Sequence, residues 1–208
     1  MIADIGQVDF NKGGGLIPVI VQDNATLQVL MLGYMNKEAL ELTLTTKKIT
    51  FYSRSKNRLW LKGESSNNYL LLEDIFIDCD NDTLLAMATP CGPTCHTGNI
   101  SCFNTQVLPP LSHIGYIDQI IQKRLQTPIE GSYTNQLIQR GLNKIAQKVG
   151  EEAVEVVIAA LAESDQEYLG EMTDLIYHAL VLLHAKNLTL ADIAKVIAKR
   201  QQDKTINP

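Results

Sequence analysis

The chain has 208 residues, 45% of them hydrophobic, which suits one large domain or two small ones, each with its own core. Its formal net charge of −5 argues against a dedicated nucleic-acid-binding protein, whose surface would carry a basic stripe. A phosphate-bearing substrate would therefore have to be met by metal ions and a few local lysines or arginines.

The N-terminal residues, MIADIGQVDF, lack the basic region and long apolar core of a signal peptide. Apolar runs elsewhere stay short of the roughly 18 residues of a membrane span. We therefore expect a cytoplasmic protein that binds neither membranes nor nucleic acid. The four cysteines would be kept reduced there, which favours metal binding over disulfides.

The first half of the chain is predicted to be an α+β domain with a mostly antiparallel sheet and one flanking helix. Residues 16–35 contain two apolar, β-rich runs separated by Asp23-Asn24, a pattern typical of a hairpin. Asn36 is predicted to cap a helix over 37–48. Strand chemistry returns at 49–53, 59–64 and 69–80, with turns at Lys56-Asn57 and Asn67-Asn68 between these runs.

The second half is predicted to be an all-α helical bundle. Strand signals almost vanish after Leu108-Pro109-Pro110, and five segments with helical periodicity follow. Ser164 and Thr189, each with an acidic residue three positions later, mark helix starts. The predicted organisation is a first domain over 1–108, a linker over 109–113 and a second domain over 114–208.

A possible metal site lies between Asp78 and Cys102, a stretch that holds all four cysteines. If residues 78–82 were extended, alternation would put Asp78, Asp80 and Asp82 on one face and Cys79 on the other. Carboxylates suit Mg²⁺ and thiolates suit Zn²⁺, so two different metals are the economical hypothesis. Cys95 and Cys102 would complete the thiolate set.

The same residues also allow simpler interpretations. Three thiolates and a water would form an open, catalytic zinc site, whereas four cysteines including Cys91 would form a closed, structural one. The Asp/Asn-rich run could be a polar turn. His96 is the candidate for proton transfer, although an isolated loop histidine is more often a surface residue.

The helical half carries a second acidic group. Glu151, Glu152 and Glu155 are neighbours on one predicted helix, and Glu171 and Asp174 repeat the three-residue spacing on the next. Antiparallel pairing of the two helices could aim these carboxylates at a common point. They would then repel one another unless a divalent cation, such as Mg²⁺, neutralised them.

Two lysines precede this group by one and two helical turns. Lys144 and Lys148 could contact substrate phosphates as point charges. Alternatively, they make ordinary ion pairs on a solvated acidic helix face. His178 lies one turn after Asp174, and no catalytic role is predicted for it.

Several segments resemble known enzyme families. The first half resembles phosphoribosyl-AMP cyclohydrolase in GYMNKEAL at 33–40, FYSRS at 51–55, LWLKGESS at 59–66 and DCDND followed by GPTCHTGNISCF. The second half resembles phosphoribosyl-ATP pyrophosphohydrolase in RGLNKIAQKVGEEAVEV at 140–156 and EMTDLIYHALVLL at 171–183. The order of the halves is similar to that of the bifunctional enzyme of histidine biosynthesis.

The resemblance implies metal ligands and an assembly. It implies Zn²⁺ at Cys79, Cys95 and Cys102, in a homodimer whose interface brings in Cys79 from the second copy. It also implies two Mg²⁺ sites, whose ligands are Asp78, Asp80 and Asp82 in the first domain and Glu151, Glu152, Glu155, Glu171 and Asp174 in the second.

The reaction implied is hydrolysis of phosphoribosyl-ATP to phosphoribosyl-AMP and pyrophosphate, followed by opening of the adenine ring at N1–C6. His96 is the expected catalytic residue. The expected substrate-binding residues are Arg54, Trp60, Lys62, Ser65, Lys144 and Lys148.

Two residues depart from the pattern expected of the family. Cys91 stands where no family cysteine is expected, and Asn67 stands where glycine is common. The competing hypotheses are a zinc-stabilised scaffold or binding protein, for which Cys91 would be essential, and a general nucleotide pyrophosphatase.

Overall fold

The computed structural model describes residues 5–103 and 111–206. Its contacts divide the chain into two compact units, Met1–Gly115 and Tyr116–Pro208. The first unit combines strands with one α-helix, and the second is helical, as the sequence predicted.

The first unit contains a four-stranded sheet and a two-stranded ribbon. Sheet order is β2-β1-β6-β5, and β3 pairs with β4 in the ribbon. Pairing is antiparallel except between β1 and β6, which run parallel. The elements are β1 (Ile17–Asp23), β2 (Val29–Met35), α1 (Lys37–Thr46), β3 (Thr50–Ser53), β4 (Arg58–Leu61), β5 (Leu70–Ile77) and β6 (Leu84–Pro90).

Local sequence signals explain much of this unit. β1 and β2 form the predicted hairpin, and the Asp23 carboxylate accepts the N–H groups of Ala25 and Thr26 in its turn. The Asn36 side chain accepts the Ala39 N–H and caps α1 as predicted. Alternate residues of β1 are fully buried and form the centre of the core.

The region after β5 differs from the prediction. Residues 78–82 are not extended, because β5 ends at Ile77 and a turn leads directly into β6. Asn81 takes a positive φ of 65° in this turn, a conformation that asparagine tolerates. The apolar run that follows is β6, a central strand that was not predicted.

The helices of the second half are α2 (Ser112–Gln126), α3 (Tyr133–Gln139), α4 (Leu142–Ala162), α5 (Asp165–Ala185) and α6 (Leu190–Ile206). The apolar pattern over 135–149 is split between α3 and α4, because Gly141 has a φ of 83° that interrupts the helix. α2 begins at Ser112, inside the predicted linker, whose residues 109 and 110 lie outside the described residues.

Capping fixes the α4–α5 connection. The Ser164 hydroxyl accepts the Glu167 N–H, and the Glu167 carboxylate accepts the Ser164 N–H, which completes the predicted capping box. The two long helices are thus joined by only Glu163 and Ser164. In the described parts of the chain, every helix is too short or too polar to cross a membrane.

Candidate active sites

The three aspartates of the first unit converge at the β5–β6 turn. One carboxylate oxygen from each of Asp78, Asp80 and Asp82 lies within 4.8 Å of the others. Asp78 Oδ1 accepts the N–H groups of Asp82 and Thr83, both at 3.0 Å, so the turn itself orients this carboxylate. Desolvation tends to raise the pKa of Asp78, but the hydrogen bonds that it accepts, these two backbone donors foremost among them, together lower the pKa.

A lysine from a distant loop lies against the same turn. Lys12 Nζ is 3.3 Å from Asp80 Oδ2 and 3.6 Å from Asp82 Oδ2, and it also donates to the backbone carbonyl of Asp80. No pattern in the sequence indicates this contact, because Lys12 and Asp80 are 68 positions apart. Three hard oxygen ligands suit Mg²⁺, and Lys12 supplies positive charge to the same group.

Two of the predicted zinc ligands lie side by side. The thiols of Cys95 and Cys102 are close enough for each to shift the pKa of the other. The Thr97 hydroxyl donates to Cys95 Sγ at 3.1 Å and is the main reason that the pKa of Cys95 is lowered. Burial raises the pKa of Cys102, and the Cys95 thiol beside it adds to this.

The loop carrying these thiols is fastened to β2. The Cys102 N–H donates to the Leu30 carbonyl at 2.7 Å, and Ser101 Oγ donates to the Val29 carbonyl at 2.8 Å. Cys102 therefore has a fixed place beside the sheet. Two adjacent soft sulfur donors fit Zn²⁺.

The other two cysteines, Cys79 and Cys91, are not part of the Cys95–Cys102 pair. Cys79 and Cys91 are both exposed, and Cys91 directly follows β6. Among the described residues, the groups of three ligands within 4.8 Å of one another do not include a set with Cys79, Cys95 and Cys102. His96, the predicted proton-transfer residue, has Nδ1 3.8 Å from Cys95 Sγ.

Three of the predicted substrate-binding side chains of the first unit lie near a surface cavity or near the Cys102 thiol: Arg54, Trp60 and Lys62. Arg54 lies over the Tyr34 ring, 3.7 Å from its centroid, beside a cavity of about 330 Å³ that Trp60 also lines. Lys62 is 8% exposed, and its Nζ lies 5.9 Å from the centroid of the Trp60 ring. Its positive charge acts to lower the pKa of Cys102. Lys62 is therefore near both the Trp60 ring and the Cys102 thiol.

Ser65 is exposed in the turn between β4 and β5. Asn67 in the same turn has a φ of 59°, in the left-handed region that favours glycine. Asparagine is the next most tolerant residue there, which explains how this chain keeps the turn without the expected glycine.

In the second unit, three of the five predicted carboxylates converge between α4 and α5. Glu152, Glu171 and Asp174 each place one oxygen within 4.8 Å of the others. Glu152 is only 4% exposed, which excludes the hypothesis of a wholly solvated acidic face. We call these three residues the carboxylate cluster; its hard oxygen ligands suit Mg²⁺.

The other two glutamates differ from each other. Glu155 lies beside the carboxylate cluster: desolvation raises its pKa, and the charges of Glu152 and Glu171 raise it further. Glu151 instead accepts from Gln147 at 2.7 Å and pairs with Lys148 at 3.1 Å.

Both predicted phosphate-binding lysines contact these acids. Lys148 Nζ lies 2.6 Å from Glu152 Oε1, and this contact raises the pKa of Lys148 well above its ordinary value. Lys144 Nζ is 4.0 Å from Glu151. The ion pairs of the simpler interpretation are therefore present, but one of them involves a buried member of the carboxylate cluster.

A histidine without a predicted role also reaches the carboxylate cluster. His178 is 5% exposed, and its Nδ1 lies 3.5 Å from Glu152 Oε1. Spacing on α5 could indicate its proximity to Asp174, but the contact with Glu152 depends on packing against α4.

Comparisons with known proteins assign both units. A family model for phosphoribosyl-AMP cyclohydrolase matches residues 31–104, and one for phosphoribosyl-ATP pyrophosphohydrolase matches residues 116–201. The chain is 50% identical over 194 residues to the histidine biosynthesis bifunctional protein HisIE of Bacteroides thetaiotaomicron, covering 93% of this chain and 96% of that protein. The chain belongs to the histidine biosynthesis bifunctional protein family.

Another member of this bifunctional family, from Xanthomonas campestris pv. campestris, is 51% identical over 195 residues, which cover 94% of this chain and 93% of that protein. Membership confirms the predicted bifunctional hydrolase and the order of its two domains. The β5–β6 turn with Asp78, Asp80 and Asp82, which we call the Asp turn, and the thiols of Cys95 and Cys102 fall in the cyclohydrolase match. The carboxylate cluster falls in the pyrophosphohydrolase match.

Proposed function

We propose that the helical unit hydrolyses phosphoribosyl-ATP to phosphoribosyl-AMP and pyrophosphate, and that the α+β unit then opens the adenine ring at N1–C6. The observation that carries this proposal is that each family match contains a group of three carboxylates that could hold a metal ion, and the first match also contains the neighbouring thiols of Cys95 and Cys102. Both reactions are placed in the cytoplasm, where thiols stay reduced and free to bind a metal.

In the helical unit, Mg²⁺ would be held by Glu152, Glu171 and Asp174, with Glu155 beside them. When bound, Mg²⁺ supplies charge neutralisation and alignment for a triphosphate. Glu151 would have a different task, because it pairs with Lys148 at 3.1 Å and is not one of the three carboxylates of the cluster. Lys144 and Lys148 keep positive charge close to the position where phosphates would bind.

In the α+β unit, Cys95 and Cys102 would hold Zn²⁺ together with Cys79 of a second copy. The adjacency of the first two thiols and the separate position of Cys79 support sharing the site across a homodimer. When bound, Zn²⁺ supplies a water of lowered pKa for attack on C6 of the adenine ring. His96 would carry the proton of that water to the ring nitrogen that leaves.

The remaining side chains would orient phosphoribosyl-AMP. Arg54 and Lys62 provide positive charge for its phosphate, Trp60 provides an aromatic face for stacking, and Ser65 provides a polar contact. The Asp turn, with Asp78, Asp80 and Asp82, would hold a second Mg²⁺.

An exposed apolar row in the helical unit also supports a homodimer. Val154, Val157, Ile158 and Leu161 lie at helical spacing on α4, and each is at least half exposed. A second copy covers such a row with the same row of its own, because a two-fold interface is self-complementary. Burial of these side chains would then stabilise the dimer.

The test is an incubation of the full chain with phosphoribosyl-ATP, Mg²⁺ and Zn²⁺, with pyrophosphate and the ring-opened product measured separately. We expect both products from the unmodified chain. Glu171→Gln should lose pyrophosphate release yet open the ring of added phosphoribosyl-AMP, and Cys95→Ser should show the reverse pattern. If the unmodified chain formed neither pyrophosphate nor the ring-opened product, the assignment would be overturned. Equal hydrolysis of ordinary nucleoside triphosphates would favour a general pyrophosphatase.

Cys91 provides the matched control for the zinc site. Cys91→Ser should keep zinc and ring opening, since Cys91 is an exposed thiol outside the Cys95–Cys102 pair. Loss of zinc in this variant would instead support the structural four-cysteine site of the scaffold hypothesis.

A further inference from the structure

His178 is a buried polar residue for which the proposed reaction supplies no role. It lies on α5, one turn after Asp174, and is 5% exposed. Its two ring nitrogens contact different parts of the helical unit. The neighbours of each nitrogen define which one carries the proton.

Nδ1 faces acceptors. The backbone carbonyl of Asp174 is the hydrogen-bond partner at 2.9 Å, and Glu152 Oε1 lies 3.5 Å away as a longer electrostatic contact. A carbonyl oxygen cannot donate a proton, so Nδ1 must carry the hydrogen. The Nδ1–H group of His178 therefore faces the backbone of Asp174 and the carboxylate of Glu152, both members of the carboxylate cluster.

Nε2 faces a hydroxyl. The Tyr133 hydroxyl oxygen is 3.0 Å from it, and in the neutral ring this hydroxyl must be the donor because Nδ1 already holds the proton. Tyr133 is the first residue of α3, whose start is capped by the Ser132 side chain. Tyr133 thus selects one tautomer of His178 and fixes the plane of its ring.

The contacts to Glu152 fall on one oxygen. Lys148 Nζ approaches Oε1 at 2.6 Å, and His178 Nδ1 approaches the same Oε1. These contacts on Oε1 restrict the Glu152 carboxylate, which offers one oxygen to the group formed with Glu171 and Asp174.

We propose that Tyr133 and His178 are positioning residues for the divalent cation of the helical unit, acting through Glu152. The Tyr133 hydroxyl fixes the Nδ1–H tautomer of His178, and His178 with Lys148 holds the Glu152 carboxylate in place for the cation. This inference rests on the proposed function, because it takes the carboxylate cluster to be the site of the cation.

A neighbouring contact separates this role from simple docking of α3 on α5. The Thr134 hydroxyl and the Tyr177 hydroxyl are 2.8 Å apart and join the same two helices. This hydrogen bond involves neither His178 nor Glu152. Tyr177→Phe is therefore a matched control for Tyr133→Phe, since each removes one phenolic hydroxyl between α3 and α5.

The probe is Mn²⁺ alone, titrated calorimetrically into the metal-stripped full chain. All variants carry Asp80→Asn and Asp82→Asn to silence the other acidic group, and Asp78 is kept because it accepts the N–H groups of its turn. Mn²⁺ prefers oxygen ligands to thiolates, so the cysteines compete weakly.

We expect His178→Gln to weaken Mn²⁺ binding by about tenfold, the lower end for loss of a contact behind a metal ligand. His178→Asn should retain most of the affinity, because its amide N–H can take the place of Nδ1–H. Tyr133→Phe should weaken binding by about threefold, a smaller part of the same effect. Tyr177→Phe should leave binding unchanged.

Three results would overturn the inference. One is parent-like affinity in His178→Gln, another is an equal loss in the Asn and Gln variants, and the third is an equal loss in Tyr177→Phe and Tyr133→Phe. Glu171→Gln is the negative control and should abolish Mn²⁺ binding. If the parent chain, with only Asp80→Asn and Asp82→Asn, also bound no Mn²⁺, the proposed metal site would be wrong, and this inference with it.

A second measurement needs no metal. Nitrogen-15 NMR of the metal-free chain should find His178 as the Nδ1–H tautomer, and Tyr133→Phe should introduce the other tautomer, while Tyr177→Phe should not. An Nε2–H tautomer in the unmodified chain would overturn the inference independently of the metal site.

Discussion

Lys12 Nζ lies 3.3 Å from Asp80 Oδ2, so a cation from a distant loop already occupies one side of the Asp turn. The same ammonium is 3.6 Å from Asp82. Since a divalent cation would bind these oxygens, Lys12 and the cation compete for the same carboxylates.

Lys12→Met should therefore strengthen cation binding at the Asp turn. Both partners are substantially exposed, so we expect a modest gain of about threefold, smaller still at high salt. The measurement is Mn²⁺ titration of the full chain carrying Glu171→Gln, which removes the other acidic site. Lys37→Met, on an exposed lysine at the start of α1, is the control; equal effects of the two changes would contradict a specific competition.

The capping box between α4 and α5 makes stability depend on pH. The Ser164 hydroxyl and N–H donate to the Glu167 carboxylate and lower its pKa below the ordinary 4.5. A lowered pKa means that the folded state favours the charged form, so this stabilisation is present above pH 4.5 and is lost as pH falls through the folded pKa.

Urea unfolding at several pH values tests this. Ser164→Ala should cost about 1 kcal/mol at neutral pH through loss of the cap. Glu167→Gln should also destabilise the helical unit at neutral pH, and its difference from the unmodified chain should shrink as the solution is acidified. Glu163→Gln, on the adjacent residue outside the box, should give no such pH dependence.

Asn67 should tolerate glycine better than alanine. Its φ of 59° strains any residue with an ordinary side chain, and asparagine is among the few that adopt it readily. We expect Asn67→Ala to lower the free energy of unfolding of the α+β unit by about 1 kcal/mol, and Asn67→Gly to stay near the parent value. A larger loss for glycine would mean that the Asn67 contact with the Tyr69 hydroxyl outweighs backbone strain.

Local signals predicted those parts of the fold that depend on neighbouring residues. Asn36 and Ser164 cap helices as expected, because capping is decided within four residues. Strand β6 was missed because its short apolar run follows the polar turn directly and pairs with β1, about 65 residues earlier in the chain. The break before α4 depends on a single glycine conformation at Gly141.

The sites follow the same rule. The spacing of Glu171 and Asp174 indicated a shared helix face, which the structure brings against Glu152. Spacing could not indicate that Tyr133 would meet His178, 45 residues later, or that Lys12 would meet Asp80. Such contacts arise from tertiary packing, and their members have no periodic relationship in the sequence.

Sharing of the zinc site between two copies can be tested by mixing variants. If Cys79 of one copy joins Cys95 and Cys102 of the other, a mixed dimer of Cys79→Ser and Cys95→Ser chains contains one complete site. Random mixing makes half of the dimers mixed, each with one of two sites, so about a quarter of the parent ring-opening activity should return.

The two variants are unfolded together, refolded with Zn²⁺ and assayed for ring opening of phosphoribosyl-AMP. A mixture of Cys95→Ser and Cys102→Ser is the matched control, since every combination then lacks a ligand from the same pair and no activity should return. Pyrophosphate release should persist in all mixtures and reports that the chains have refolded. If activity failed to return in the first mixture while pyrophosphate release persisted, all three thiolates would have to come from one chain.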